Sequence, residues 1–221
     1  MILLSLLFVK PAHASSNEAI DMPCADLRTQ SQRSLELRKI LEADQADRGW
    51  QTKGQQPSQK LLEEMSRHDL VRRKRVGEIF GEGCLKTVAD YRAAFFVFQH
   101  GNVPDHYFQA FIWAKHALGL GDDRAKSDVA MAIDRYLVSI DHKQLFGTQA
   151  SMPSPSKCWC IQPVDETFPQ SIRDEYRGGG NSDYTGLAYL KILNVAQKDC
   201  PVAYCNKDLQ PSPKGLVPGF W

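Results

Sequence analysis

Hydrophobic residues recur at helical spacing through the first two thirds of the chain. This amphipathic pattern predicts a first helix from about residue 26 to 49 and a second from about 57 to 80, separated by a stretch rich in glycine, proline and glutamine. Residues 87–100 are apolar on nearly all sides, which predicts a central, buried third helix. Two further helices are predicted over 105–118 and 123–140, joined by the turn GLGDD.

The predicted fold class is therefore mainly α, a compact array of antiparallel helical hairpins that loosely resembles tetratricopeptide repeats. No strict period can be counted, so hairpin packing is expected rather than a solenoid. Eight of the twelve prolines and four of the six cysteines fall after residue 150, which predicts a loop-rich, disulfide-stapled extension with one short helix near 183–195. The expected division is a signal peptide over 1–14, a helical domain over 15–150 and the C-terminal extension 151–221 packed on it.

The N-terminal residues 1–14 have the features of an export signal. Their apolar run is too short to span a bilayer and is followed by Ala12-His13-Ala14, the small-x-small pattern of a cleavage site. These features predict a periplasmic or secreted protein that keeps no stable membrane anchor after the signal is cleaved.

An even number of cysteines, six in all, predicts disulfide bonds in an exported chain. Six cysteines allow fifteen pairings, and their order favours Cys24–Cys84 and Cys200–Cys205. A zinc site built from the C-terminal cysteines is the alternative, but the Cys-x-Cys spacing at residue 158 lacks the usual two intervening residues. Neither a metal nor a cofactor is predicted.

The charges balance almost completely, with 27 basic and 26 acidic residues. Removal of residues 1–14 takes away Lys10 and no acid, so the mature chain is expected to be neutral. This balance disfavours a nucleic-acid-binding protein, which needs a basic surface to contact phosphates. The basic run 72–75 lies among acidic residues of the second predicted helix, and we expect it to form a solvated helix face.

Four sets of polar residues occupy special positions in the predicted helices. They are Asp44, Gln45 and Arg48 near the end of the first helix, His100 at the end of the third, Asp134 and Arg135 in the fifth, and Gln144, Gly147, Thr148 and Gln149 after it. Asp44 and Arg48 stand four residues apart and can pair; taken alone, they are expected to form a surface ion pair. Positive φ at Gly147 would let Thr148 and Gln149 offer backbone N–H groups to one point. We expect the four sets to line a shared polar pocket; the alternative is a buried network that fixes the fifth helix against the first.

Taken in order, these motifs resemble those of a family of uncharacterised bacterial proteins, a domain of unknown function. The shared motifs are DQxxR at 44–48, QH at 99–100, DR at 134–135 and QLFGTQ at 144–149, followed by an IRxxY-like segment at 171–174. The resemblance covers roughly residues 35–177. Phe146 stands where tyrosine is commoner in the family, and residues 83–85 depart from its Gly-Trp-Pro segment. The resemblance implies a mainly helical fold and brings no established activity.

The favoured function is a binding module, because every catalytic scheme lacks a convincing group. Its ligand-binding residues would be the ten residues of the four polar sets. Arg48 and Arg135 would hold a small anionic ligand. A periplasmic protein partner is equally compatible, in a sensor, inhibitor or immunity-type role, whereas no nucleic acid is expected.

The alternative function is a hydrolase or other enzyme, with His100 and Asp134 as the candidate catalytic residues. His100 would act as general base, oriented by Asp44 or Asp134, and Arg135 or the backbone amides near Gly147 would stabilise an anion. No nucleophile is evident, since the cysteines are expected to be oxidised and no serine lies in an elbow-like motif.

Overall fold

The computed structural model of the protein describes residues 23–49, 57–152, 158–176, 200–201 and 203–212, and these residues are mainly helical. A short 3-10 turn, Pro23–Ala25, comes first. The helices are α1 (Leu27–Ala46), α2 (Gln59–Gly81), α3 (Val88–Gln99), α4 (Pro104–Gly119), α5 (Ala125–Ser139) and α6 (Gln170–Tyr176). Two short strands, β1 (Ala150–Ser151) and β2 (Cys160–Ile161), lie between α5 and α6. The predicted mainly α fold is confirmed, and the five helices predicted from hydrophobic spacing are present with ends that shift by only a few residues.

Two predictions fall outside the described residues. They are the signal peptide over 1–14 and the short helix near 183–195. Both stay predictions.

Short polar side chains set the starting points of the first three helices. The carboxylate of Asp26 accepts a hydrogen bond from the Thr29 amide at 2.8 Å, and the Ser58 hydroxyl accepts one from the Leu61 amide at 3.2 Å. At the start of α3, Thr87 and Asp90 exchange hydrogen bonds with each other's backbone amides in a capping box. Each cap satisfies amides that the first helical turn leaves without a partner.

The central position predicted for α3 is confirmed, because α3 packs against α1, α2, α4 and α5. Its Phe95 is buried in the core with Trp113 of α4 and Leu137 of α5. The hairpins α3–α4 and α4–α5 make the most extensive helix contacts, and α1 packs more on α3 than on α2. The finer tetratricopeptide-like arrangement is not confirmed.

The buried face of α2 carries the charged residues Asp69, Arg72 and Arg73 as well as Val76 and Ile79, which corrects part of the sequence prediction. Arg72 and Arg73 are buried, so the expectation of a solvated basic run over 72–75 is wrong for these two residues. Leu70 and Val71 are instead 62% and 67% exposed. Hydrophobic spacing alone misplaces this face because buried guanidinium and carboxylate groups can occupy an inner helix stripe when they satisfy one another.

Three disulfides join Cys24 to Cys84, Cys158 to Cys200 and Cys160 to Cys205. The predicted Cys24–Cys84 bridge is confirmed, and the predicted Cys200–Cys205 bridge is wrong. The last two cysteines each pair with one member of the Cys-x-Cys segment instead. Cys205 is joined to Cys160 of β2, and Cys200 is joined to Cys158, two residues before Cys160. Sequence proximity misled the prediction because β2 brings residue 161 beside residue 204.

The segment that follows α5 is paired with the C-terminal extension. β1 and β2 are antiparallel, with Ala150 opposite Ile161 and Ser151 opposite Cys160. The backbone amide of Gln144 donates to the Pro163 carbonyl at 3.0 Å, and its carbonyl accepts from the Asp165 amide at 2.8 Å. The extension therefore holds the residues of the QLFGTQ motif by backbone hydrogen bonds along one edge.

Within the described ranges, no helix is both long enough and apolar enough to cross a membrane.

Candidate functional site

The predicted polar residues lie in two separate clusters. The first, here called the ion cluster, contains Asp44, Asp47 and Arg48 of the α1 end together with Asp69 and Arg72 of α2. The second, here called the Asp134 loop, contains Asp134 of α5 and the residues 144–149. The structure thus brings the predicted site residues together in two groups rather than around one point.

Arg48 forms the predicted ion pair with Asp44, but the pair is buried. The guanidinium Nη1 lies 3.0 Å from Asp44 Oδ1, and its Nη2 lies 2.7 Å from Asp69 Oδ2. The Asp44 side chain is only 1% exposed, so the expectation of a surface pair is wrong. A second carboxylate from α2 makes this burial tolerable, because a buried charge is costly unless its donors are satisfied.

Arg72 completes the ion cluster. Its Nη2 lies 2.7 Å from Asp69 Oδ1 and 2.8 Å from Asp47 Oδ2, and its Nε lies 3.7 Å from Asp44 Oδ1. Burial alone would lower the pKa of Arg72, but the hydrogen bonds to Asp69 and Asp47 outweigh it and the pKa is raised. The cluster therefore fastens α1 to α2 through three carboxylates and two guanidinium groups.

His100 lies at the edge of the ion cluster, and Asp44 orients its ring. Nδ1 lies 2.9 Å from Asp44 Oδ2, and because a carboxylate only accepts, Nδ1 carries the proton. The exposed Gln45 donates to the same oxygen at 2.9 Å. The His100 side chain is 20% exposed, and its Nε2 has no hydrogen-bond partner among the described residues.

The pKa of His100 is lowered, first by burial, which the hydrogen bond to Asp44 and the charge of Asp44 oppose, and then by the positive charges of Arg48 and Arg135. The imidazole is consequently neutral at pH 7. A neutral ring with its proton on Nδ1 presents a lone pair at Nε2, so His100 can accept a hydrogen bond or a proton there.

The carboxylate of Asp134 is wholly buried and is surrounded by donors from the following loop. Oδ1 accepts from the amides of Leu145 and Phe146 at 2.8 and 3.0 Å, and Oδ2 accepts from the amide and hydroxyl of Thr148 at 2.9 and 2.8 Å. The Gln149 side chain donates to the Thr148 oxygen at 2.9 Å, which directs the hydroxyl proton toward Asp134. Burial raises the pKa of Asp134 and these donors oppose the shift.

Gly147 has a φ of 69°, so the predicted left-handed turn is confirmed. The neighbouring amides are occupied by the protein itself, since Thr148 donates to Asp134 and Gln149 donates to the side-chain oxygen of Gln144 at 2.8 Å. The Gln144 amide group donates in turn to the backbone carbonyls of Gln149 and Gln162. The expectation that these backbone amides face a ligand is therefore wrong.

The polar residues of this loop place its two apolar residues in the core. Leu145 and Phe146 are wholly buried, and the Phe146 ring packs edge-on against Phe168 with centroids 5.1 Å apart. The buried Arg173 of α6 donates through Nε to the Leu145 carbonyl at 2.7 Å and through Nη2 to the Asp165 carbonyl. QLFGTQ is thus held on one side by Asp134 and on the other by α6.

Arg135 links the two clusters. Its Nε donates to Gln149 Oε1 at 2.8 Å, and its Nη1 donates to the carbonyl of Gln99, the residue before His100. Gln99 also donates to the Met131 carbonyl at 3.0 Å. Asp44 rather than Asp134 is therefore the carboxylate that contacts His100, and Arg135 acts on His100 through its charge.

Asp69 and Arg72 of the ion cluster, and the neighbouring buried Arg73, were missed from the sequence. A signal was present, because these three residues and Val76 follow the i, i+3, i+4, i+7 spacing of a single helix stripe. All four are buried. In the described part of the chain, no group of three histidine, cysteine, aspartate or glutamate side chains is arranged to hold a metal ion.

Comparisons with protein-family models, curated proteins and solved structures found no match for this chain. The resemblance carried by DQxxR, DR and QLFGTQ rests on those motifs alone. Function is therefore inferred from the geometry of the two clusters.

Proposed function

We propose that this protein is an exported binding module that holds a small ligand at the Asp44–His100 pair. The observation that supports it most is the state of the ring: Nδ1 is fixed by a buried carboxylate at 2.9 Å, while Nε2 has no partner among the described residues. A neutral imidazole in this state accepts a hydrogen bond. The ligand should therefore present a hydroxyl or N–H group to Nε2.

The charges around His100 favour an anionic ligand. The positive charges of Arg48 and Arg135 lie near the ring and support an anionic ligand, while the negative charge of Asp44 acts in the opposite direction. Arg48 acts from a distance, because its N–H groups already bind Asp44 and Asp69. The ligand class that fits is a small acid with a hydroxyl or amino group, although a protein partner offering the same groups in a sensor, inhibitor or immunity-type role fits as well.

A periplasmic or secreted location is part of the proposal. Three disulfides support it, because such bonds persist in oxidising compartments.

The test is the recovery of a ligand from protein purified from its native host, measured by native mass spectrometry. The variant His100→Asn removes the acceptor at Nε2, and His116→Asn is the matched control, since His116 is exposed and stacks on Tyr91 away from Asp44. We expect the wild type and His116→Asn to retain a ligand that His100→Asn loses. Equal retention by His100→Asn would contradict the proposal.

A general-base enzyme is the second candidate, supported by the orientation of His100 by Asp44. A carboxylate bound to Nδ1–H fixes the tautomer in which Nε2 can take a proton from water or a hydroxyl group. Hydrolysis of the activated ester p-nitrophenyl acetate tests this chemistry. We expect His100→Asn to lose the protein-dependent rate, and the rate to rise with pH through a midpoint below the ordinary histidine pKa. An unchanged rate in His100→Asn would exclude the enzyme reading.

A further inference from the structure

Arg73 is a buried guanidinium whose charge is not neutralised by direct contact. The residue is 6% exposed. Its Nη1 donates to the His100 carbonyl at 3.2 Å and its Nη2 donates to Asn102 Oδ1 at 3.4 Å. Nε has no acceptor, and no carboxylate of the described residues lies within ion-pair distance. A buried charge left in this state is unusual, since such groups are normally paired.

The neighbouring Arg72 on the same helix is paired with carboxylates, although its Nε, like that of Arg73, has no hydrogen-bond partner among the described residues. Its Nε and Nη2 face Asp44, Asp47 and Asp69 at 3.7, 2.8 and 2.7 Å. Asp69, one turn before Arg73, is already bound by Arg48 and Arg72. Burial accordingly lowers the pKa of Arg73 by more than the charge of Asp69 restores, whereas the pKa of Arg72 is raised.

The side of Arg73 that lacks a strong acceptor is the one suited to an oxyanion. Nε–H and Nη2–H point along one edge of a guanidinium and match the two oxygens of a carboxylate or phosphate group. The Nη2 contact with Asn102 is longer than an ordinary N–H···O hydrogen bond, and Asn102 is exposed. A charged acceptor can therefore displace the Asn102 oxygen and bind Nε as well, while Nη1 keeps its bond to the His100 carbonyl.

The turn beside Arg73 adds electrostatic support. α4 begins at Pro104 without a side-chain cap, so the positive end of its dipole lies next to this turn. His106 accepts from the Asn102 amide through Nδ1, and its pKa is lowered by burial and by the charge of Arg73. Asp105 is the acidic residue of the first turn and is exposed.

We propose that Arg73 and the turn 100–103 form a binding site for a carboxylate or phosphate group, held in two hydrogen bonds by Nε and Nη2. The site uses the backbone carbonyl of His100 and not its imidazole. It goes beyond the proposed function, because an anion can bind Arg73 whether or not a ligand contacts His100 Nε2.

The direct test follows the arginine Nε–H signals by NMR, assigned through side-chain correlations in the full chain. Sodium phosphate and sodium acetate are titrated separately, with ionic strength held constant by sodium chloride so that screening does not change. We expect the Arg73 Nε–H signal to shift and saturate while the Arg72 signal stays in place. A response to phosphate alone assigns a phosphate group, and a response to acetate alone assigns a carboxylate.

Two variants refine the assignment. Arg73→Lys keeps the charge and removes the paired edge, and we expect it to weaken anion binding at least about tenfold, the ratio for one lost charge-assisted hydrogen bond. Lys74→Gln is the matched control, since Lys74 is exposed on the same helix, and it should bind as the wild type does.

Three results would overturn the site: an Arg73 signal that does not move, a shift that never saturates, or full binding by Arg73→Lys. The wild-type titration decides the question by itself if Arg73→Lys does not fold. The two sites are tested by different measurements, retention of a ligand for His100 and the titration of the Arg73 Nε–H signal for Arg73, so failure of one site remains distinguishable from failure of the other.

Discussion

Asp44 and Asp134 are both buried aspartates, yet different kinds of donor surround them. Asp44 is hydrogen-bonded by three side chains, those of Gln45, Arg48 and His100, and Arg72 pairs with it at 3.7 Å. Asp134 is bound by three backbone amides and one hydroxyl, all from the five residues that begin at Gln144. The charge of Asp44 is balanced by positively charged side chains, whereas Asp134 is stabilised by the hydrogen-bond donors of one loop.

This difference separates a scaffold from a candidate site. Three of the donors to Asp134 are backbone amides that point to it because of the loop conformation. The carboxylate in turn stabilises that conformation. The donors to Asp44 come from separate positions, and two of them, Gln45 and His100, reach solvent. Side chains at a surface can exchange partners with a ligand, whereas backbone amides bound to Asp134 cannot do so without unfolding the loop. The proposed ligand site is therefore placed on the Asp44 side.

Replacement of Asp134 should cause the largest loss of stability. In Asp134→Ala four donors lose their acceptor in the interior, and each unsatisfied buried donor costs about 1–3 kcal/mol, so we expect a loss of more than about 4 kcal/mol in the free energy of unfolding. Urea denaturation followed by circular dichroism measures it. Asp134→Asn keeps the shape but turns an N–H group toward donors, and it should recover only part of the loss. An unchanged melting temperature would remove the scaffold role.

Replacement of Asp44 should cost less. We expect Asp44→Ala to lower the free energy of unfolding by about 2 kcal/mol, below the roughly 3–5 kcal/mol typical of a broken, fully buried ion pair. Arg48 keeps Asp69, and water can reach His100. The same denaturation series measures it, together with the His100 pKa by NMR, which should fall further because the Asp44 hydrogen bond raises it. A loss as large as that of Asp134→Ala would erase the distinction between the clusters.

Much of the Asp134 side could be predicted from sequence, because its signals are local. The five long helices follow hydrophobic spacing, and the positive φ at Gly147 follows from a glycine in a turn rich in polar residues. The sequence also singled out Gln144, Thr148 and Gln149 as hydrogen-bonding residues of one polar region, and their side chains form hydrogen bonds in this loop. Their acceptors and donors are within the protein, and sequence spacing could not distinguish these from a ligand.

The Asp44 side was harder to predict because its partners come from another helix. The sequence predicts Asp69 and Arg72 to be surface charges. Sequence spacing gives the position of a residue on its own helix, but it does not show which charged side chain of another helix lies opposite. Of the apolar positions that predict the second helix, Leu70 is exposed, whereas Val76 and Ile79 are buried. The bridge Cys160–Cys205 was missed for the same reason, as it depends on strand pairing between distant segments.

A glycine substitution tests the loop without removing any hydrogen-bonding group. Gly147→Ala places a side chain at a φ of 69°, and the left-handed region should cost about 1 kcal/mol of unfolding free energy. Urea denaturation measures the loss. The His100 pKa, measured by NMR in the same variant, should not change, because His100 is bound by Asp44. A shifted His100 pKa would show that the two clusters are coupled through Arg135.

The smallest expected effect is the contribution of His100 to the pH dependence of stability. The pKa of His100 in the folded protein is lowered from its ordinary 6.5 by burial, so below pH 6.5 the unfolded chain binds protons that the folded chain does not. Stability should therefore fall as the pH falls from 6.5 toward the folded pKa.

His100→Gln removes this contribution and should flatten the dependence, which thermal denaturation at closely spaced pH values measures. Part of the slope should remain, since the pKa of His106 is also lowered. Gly147→Ala is the control, because it weakens the loop at a position that does not contact Asp44 or His100, and the contribution of His100 to the slope should remain. An identical slope in His100→Gln would mean that His100 is solvated in the folded state, and the contrast between the two aspartates would then lose its main support.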